Sequence, residues 1–146
     1  MALEIERKFL VTWPLQEIIE EHRRFYKGPS VTKIRQGNLA EDPLVRIRLR
    51  TCDGHEQTPL LTIKGRNVGI SRYEFERSIL PVEEGERLLS LCSLVICKTR
   101  YTFWGPKDVW IIDEYHGANE GLLVAELELN SVDQEFSLPP WTGEDV

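Results

Sequence analysis

The chain has 146 residues, of which 41% are hydrophobic and 29% charged. A chain of about 150 residues buries roughly 68–70% of its unfolded surface, so one domain over 1–146 with its own core is expected. The composition is globular and not disordered. A formal net charge of −6 argues against a protein that coats nucleic acid, whose usual footprint is a basic face. No run of about 18 apolar residues occurs. Glu4, Glu6, Arg7 and Lys8 keep the first ten residues from reading as a signal peptide or membrane span. Three cysteines, none in a C-x-x-C pair, complete the expectation of a cytoplasmic protein with no nucleic-acid or membrane partner.

Leu3–Leu10 reads as a strand, with Glu4, Glu6 and Lys8 on one face and Leu3, Ile5 and Phe9 on the other. Pro14 suits the first position of a helix. Leu15, Ile18, Ile19, His22 and Phe25 recur at spacings of three and four, which predicts an amphipathic helix over 14–26, ended by Gly28-Pro29. Val31–Gln36 is a predicted strand, and Gly37–Pro43 a loop. Leu44–Thr51 places Arg46, Arg48 and Arg50 opposite Val45, Ile47 and Leu49. Asp53-Gly54 signals a hairpin, and Thr58–Lys64 returns with Thr62 and Lys64 in phase.

After a turn at Gly65–Gly69, Ile70–Leu80 aligns Arg72, Glu74 and Glu76 opposite Tyr73, Phe75 and Arg77. A second helix is predicted over Pro81–Cys92, with Leu88, Leu89, Leu91 and Cys92 as its apolar side. Three strands follow: Leu94–Phe103 with Lys98 and Arg100 in phase, Val109–Tyr115 with Asp113, and Leu122–Leu129 with Glu126 and Glu128. Ser131–Phe136 is a predicted short helix, and Pro139–Val146 shows no periodicity.

Taken singly, each strand reads as half-buried with its charges in water. Taken together, the polar faces carry full charges, and these sort by strand. Arg46, Arg48, Arg50, Lys64, Lys98 and Arg100 are cationic, whereas Glu74, Glu76, Asp113, Glu126 and Glu128 are anionic. An eight-stranded antiparallel β-barrel with these faces inward accounts for the sorting, because about eight strands enclose room for side chains or one small ligand. The helices and the tail would then cover the apolar outer faces. Crowded carboxylates raise one another's pKa values unless a cation sits among them, and hard divalent ions combine carboxylate, water and phosphate oxygens. Clustered Arg and Lys suit a polyanion. The pattern asks for a metal-bound oligophosphate. His22, His55 and His116 read as structural or surface residues, and Cys92 and Cys97 as small apolar fillers.

On these residues the chain resembles the CYTH superfamily, the triphosphate tunnel metalloenzymes. Glu4-Ile5-Glu6-Arg7-Lys8 matches its E-x-E-x-K opening. In order follow Ile34–Gly37, Arg46–Arg50, Thr62–Lys64, Ser71–Glu76, Lys98–Tyr101, Ile112-Asp113 and Glu126–Glu128, with Pro140-Trp141-x-Gly143-Glu144 near the end. The resemblance runs from Leu3 to Val146 and is strongest to the short bacterial proteins associated with tripolyphosphate hydrolysis. It implies that Lys8, Arg48, Arg50, Lys64, Lys98 and Arg100 hold the phosphates. Arg46, Lys33, Arg35 and Arg72, in phase with the charged faces, are carried with that substrate-binding set. It further implies that Glu4, Glu6, Asp113, Glu126 and Glu128 hold Mg²⁺ or Mn²⁺, and that Lys8, Glu74 and Glu76 act at the reacting phosphate and water.

Two departures stand out. Relatives commonly read R-Q-G-Y where this chain has Arg35-Gln36-Gly37-Asn38, and they commonly continue past the position of Val146 through a short basic and aromatic tail. The implied function is divalent-metal-dependent hydrolysis of a triphosphate-containing small molecule, with inorganic tripolyphosphate first and nucleoside or thiamine triphosphate behind it, by a monomer or homodimer. The alternatives are a class IV adenylyl cyclase, a thiamine triphosphatase, or a polyphosphate- or nucleotide-binding protein without turnover.

Overall fold

A computed structural model of the chain describes residues 2–146. The strands are β1 (Leu3–Val11), β2 (Ser30–Glu41), β3 (Leu44–Cys52), β4 (His55–Glu56), β5 (Leu60–Lys64), β6 (Ser71–Ser78), β7 (Val95–Trp104), β8 (Val109–Tyr115), β9 (Leu123–Glu128) and β10 (Thr142–Asp145). Helix α1 (Leu15–Arg23) follows β1, and α2 (Glu84–Leu89) follows β6. Antiparallel pairing runs β1-β6-β5-β3-β2-β7-β8-β9, and β9 pairs back to β1 through Glu6↔Glu128 to Leu10↔Val124. That last ladder closes an eight-stranded barrel, as the charge sorting required. Among the described residues, no helix is long and apolar enough to cross a membrane.

The Asp53-Gly54 turn forms as its chemistry dictates. Asp53 (φ 48°) and Gly54 (φ 84°) both adopt positive φ, the requirement of a two-residue type I′ hairpin, and Cys52 pairs with His55. Elsewhere the predicted boundaries shift. β2 runs through the predicted loop at Gly37–Pro43, because pairing with β3 continues past a bulge between Asn38 and Ala40 as far as Glu41↔Leu44. Gly37 is needed there, since a Cβ would lie 2.6 Å from that of Cys92, which packs against β2. Helix α2 is half the predicted length, with only Gly85 and Leu89 buried. The predicted helix at Ser131–Phe136 does not form; that stretch lies along the barrel, with Phe136 under Arg7 at 5.6 Å.

The tail without periodicity becomes a strand. β6 pairs with β1 only at Leu3–Ile5, and β10 takes over the same edge with Phe9↔Asp145 and Val11↔Thr142. Four residues are too few to show a period, and backbone pairing asks little of their side chains.

The apolar core lies outside the barrel. One cluster packs Ile18 and Ile19 of α1, with Trp141, onto Phe9, Phe103, Trp110, Ile112, Ala125 and Leu127. A smaller one sets Leu89 of α2 and Ile79 on Ile47 of β3. Trp110 and Trp141 meet edge to face at 5.4 Å, so Trp141 fastens the tail over the sheet. Trp141→Ala is expected to lower the unfolding free energy by about 3–5 kcal/mol in denaturant titration; a change below 1 kcal/mol would show that the tail is not part of the core.

Candidate active site

Alternation along the strands turns the charged faces into a lumen of about 370 Å³. β3 contributes Arg46, Arg48 and Arg50, β5 contributes Lys64, and β7 contributes Lys98 and Arg100. Arg48 donates through Nε to Gln36 Oε1 at 2.8 Å. Burial, then the neighbouring Arg46 and Arg100, pushes it down to about 9, which leaves it charged at neutral pH. Burial also brings Lys98 down to about 8, and burial with Arg100 lowers Arg46. The Nε groups of Arg46 and Arg50 are buried without a hydrogen-bond partner among the described residues. Depressed cations with idle donors are what a polyanion relieves.

The facing wall is acidic. Lys64 Nζ lies 2.8 Å from both oxygens of Glu4 and 3.4 Å from Glu74. Lys8 Nζ lies 3.4 Å from Glu6 and 3.7 Å from Glu126. Thr62 donates to Glu76 at 3.1 Å, and Glu128 completes the lining opposite Glu6. Burial, then the adjacent Glu4, pushes Glu74 up to about 7. Burial acts upward on Glu4 as well, but its bonds with Glu74 and Lys64 hold it below the ordinary value. Of this pair, Glu4 keeps the charge and Glu74 is the one that takes up a proton as pH falls through about 7. Burial and Glu126 raise Glu6, whereas Glu126 and Glu6 outweigh burial and hold Lys8 up.

Lys8, Glu4, Glu6, Glu74, Glu76, Arg46, Arg48, Arg50, Lys64, Lys98, Arg100, Glu126 and Glu128 therefore share one lumen. Four candidates from the sequence, Asp113, Lys33, Arg35 and Arg72, do not. Asp113, grouped there with metal-holding carboxylates, is 1% exposed and spends both oxygens on Lys98 (2.7 Å) and Arg100 (2.8 and 2.9 Å). With no free oxygen for the lumen, it orients the cationic wall. Arg35, assigned to the substrate, points outward and pairs with Glu86 of α2. β2 presents Thr32, Ile34 and Gln36 inward, so Lys33 and Arg35 carry the opposite parity. Arg72 has the right parity, but it sits at the strand end in a side cavity beside Asn67, to which it donates at 3.0 Å.

Tyr115 and Gln36 line the lumen but were not among the candidate site residues, whereas Thr62 lies in phase with Lys64 as expected. Tyr115 could have been found, since it is in phase with Asp113 on β8. Asn38 donates to Glu41 at 3.2 Å at the rim. His22 binds the Trp104 carbonyl and His116 binds Thr99, both as framework contacts.

A divalent cation fits the acidic wall by its chemistry. The donors are hard carboxylate oxygens, and Glu6 and Glu74 are raised by burial first and then by the neighbouring carboxylates Glu126 and Glu4, both of which a bound cation would offset. No three acidic, His or Cys side chains among the described residues converge into a complete cage. Mg²⁺ does not demand one, because it keeps waters and takes phosphate oxygens.

The raised Glu74 has a measurable consequence in metal-free protein. Its native carboxyl binds a proton more tightly than the unfolded chain does. The stability so gained is lost as pH rises from the ordinary 4.5 through about 7. Glu74→Gln, neutral at every pH, is expected to melt higher than the parent at pH 8 and equally at pH 5, in chelator. A parent that melts higher at pH 8 would contradict the crowding.

No protein-family model matches the chain. The inorganic triphosphatase of Acetivibrio thermocellus is 38% identical over 149 residues, covering 100% of this chain and 86% of that protein. That of Nitrosomonas europaea is 33% identical over 156 residues, covering 98% and 88%. A crystal structure of an inorganic triphosphatase superposes with a TM-score of 0.58 at 31% identity, over 97% of this chain and 88% of that one. The PH1819 protein of Pyrococcus horikoshii shares the fold with a TM-score of 0.64 at 23% identity, over 89% and 80%. Barrel, lumen and relatives agree: the chain belongs to the inorganic triphosphatase family of the CYTH superfamily.

Proposed function

We propose that the chain hydrolyses inorganic tripolyphosphate inside the tunnel, with a bound Mg²⁺ or Mn²⁺. The observation that carries this reading is the convergence of cations from four strands on one lumen, with the buried Nε donors of Arg46 and Arg50 without a partner among the described residues. Two relatives spanning nearly the whole chain bear the name inorganic triphosphatase. That favours hydrolysis of the bare anion over a cyclase, a thiamine triphosphatase or a binder without turnover.

In this mechanism Arg48, Arg50, Lys98 and Arg100 bind the non-bridging oxygens, with Asp113 fixing the angle of the last two. Arg100 stays firmly cationic: burial opposes its charge, and the Asp113 carboxylate outweighs it. Glu4 and Glu6, with Glu126 and Glu128, would hold the metal, which when bound neutralises phosphate charge and polarises the phosphoryl group. Lys8 and Lys64 steady the terminal phosphoryl group. A carboxylate of the Glu74–Glu76 strand orients the attacking water and takes its proton. The water oxygen bonds to the terminal phosphorus as the bridging P–O bond breaks. Its electron pair stays on the departing pyrophosphate, where the cationic wall stabilises it.

Phosphate release from tripolyphosphate, ATP and thiamine triphosphate, with Mg²⁺, with Mn²⁺ and with chelator, tests the reading. Metal-dependent release from tripolyphosphate is expected, with Lys64→Ala and Glu6→Gln about 10²–10³-fold slower. Pyrophosphate from ATP without tripolyphosphate turnover would install the cyclase in its place, and binding without turnover of any substrate would remove the enzyme.

A further inference from the structure

Of the neutral polar groups lining the lumen, Gln36 is committed to Arg48, and Thr32 is short and lies across from Arg100. Tyr115 is the long one. It closes β8 opposite Lys98, whose Nζ sits 5.4 Å from the centre of its ring. The side-chain hydrogen bonds around it among the described residues engage Asp113 and His116, and none of these reaches its phenol. The phenol lies near enough to Asp113, Glu126, Lys8 and Arg100 for their charges to act on it. Its backbone is fixed on both sides, through the ladder to β7 and through its amide donating to Leu122 at 3.0 Å. The ring is therefore held by strands and not by a loop, and the hydroxyl is an idle donor among charged groups.

We infer that Tyr115 is a substrate-contacting residue that donates a hydrogen bond to a phosphoryl oxygen lying between Lys8 and Lys98. This rests on the triphosphatase reading and assigns a role to a side chain outside the acidic and basic walls. The two lysines supply charge without fixed direction, because an ammonium presents three rotatable donors. A phenol on a strand supplies one donor along a set direction, and it is protonated at neutral pH. It adds no charge to the crowded cations of this wall. A phosphoryl group seated by two ammoniums and one phenol is constrained in orientation as well as in position. Such positioning matters to an in-line displacement.

Tyr115→Phe keeps the ring over Lys98 and removes only the donor. It is expected to melt within 1 °C of the parent. Tripolyphosphate affinity by calorimetry in chelator and kcat/KM with Mg²⁺ should together fall about tenfold, the effect of one hydrogen bond to a charged group. The larger part should lie in kcat if the bond tightens as charge moves in the transition state. A structural role alone would move the melting temperature and leave affinity and kcat/KM unchanged. Parent-like affinity and kcat/KM in a well-folded Tyr115→Phe would overturn this inference while leaving the triphosphatase intact. A parent that neither binds nor hydrolyses tripolyphosphate would overturn both.

Discussion

Everything in this protein follows from enclosing opposite charges in one lumen. Each buried ion costs several kcal/mol to dehydrate, and only a well-placed counter-charge offsets it. Asp113 offsets Lys98 and Arg100 from within the wall, and Glu4 offsets Lys64 across it. The balance is deliberately incomplete: Arg48 and Lys98 are depressed, and Glu6 and Glu74 are raised. The residual imbalance has a plus side and a minus side, to which the proposed anion and hard cation are complementary. In the proposed complex, phosphate oxygens would take over Lys64, leaving Glu4 among the carboxylates that would hold the metal.

Turning the charges inward forces the apolar faces outward, and the rest of the chain covers them. α1 and Trp141 cover the β1, β8 and β9 side, and α2 covers β3. The outer face over β2 and β7 is left as an open groove beside Leu49 and Cys97, with Lys33 and Arg35 on it. Nearly every residue of the site lies on a paired strand, so the rotamers of the lumen are set by a rigid scaffold. The junction of β6 and β10 on one edge of β1 is the place where that scaffold changes partner.

The walls were legible because strand parity is a period of two and the charges repeat it. Arg46, Arg48 and Arg50 could face only one way together, as could Glu74 and Glu76. β2 was misjudged for the same reason: Lys33 and Arg35 repeat the parity of charge, yet the register with β3 turns the apolar Ile34 inward. A sequence shows that residues share a face but not which face is enclosed. Asp113 looked like its acidic neighbours, because nothing in one strand reveals that the strand beside it offers two cations. The β10 strand was invisible because its pairing partner, β1, lies more than 130 residues away, with Val11 opposite Thr142 and Phe9 opposite Asp145. The helix expected at 131–136 failed because local spacing there is overridden by packing along the barrel, the ordinary limit of propensity.

A crystal structure of the protein with a non-hydrolysable imidotriphosphate and Mg²⁺ tests the central claim most directly. The account predicts one ligand threaded through the lumen, its oxygens within hydrogen-bond distance of Arg48, Arg50, Lys98 and Arg100, with the metal on the Glu4–Glu6 side. A ligand seated instead in the outer groove at Lys33 and Arg35, with the Glu4–Lys64 pair undisturbed, would contradict it.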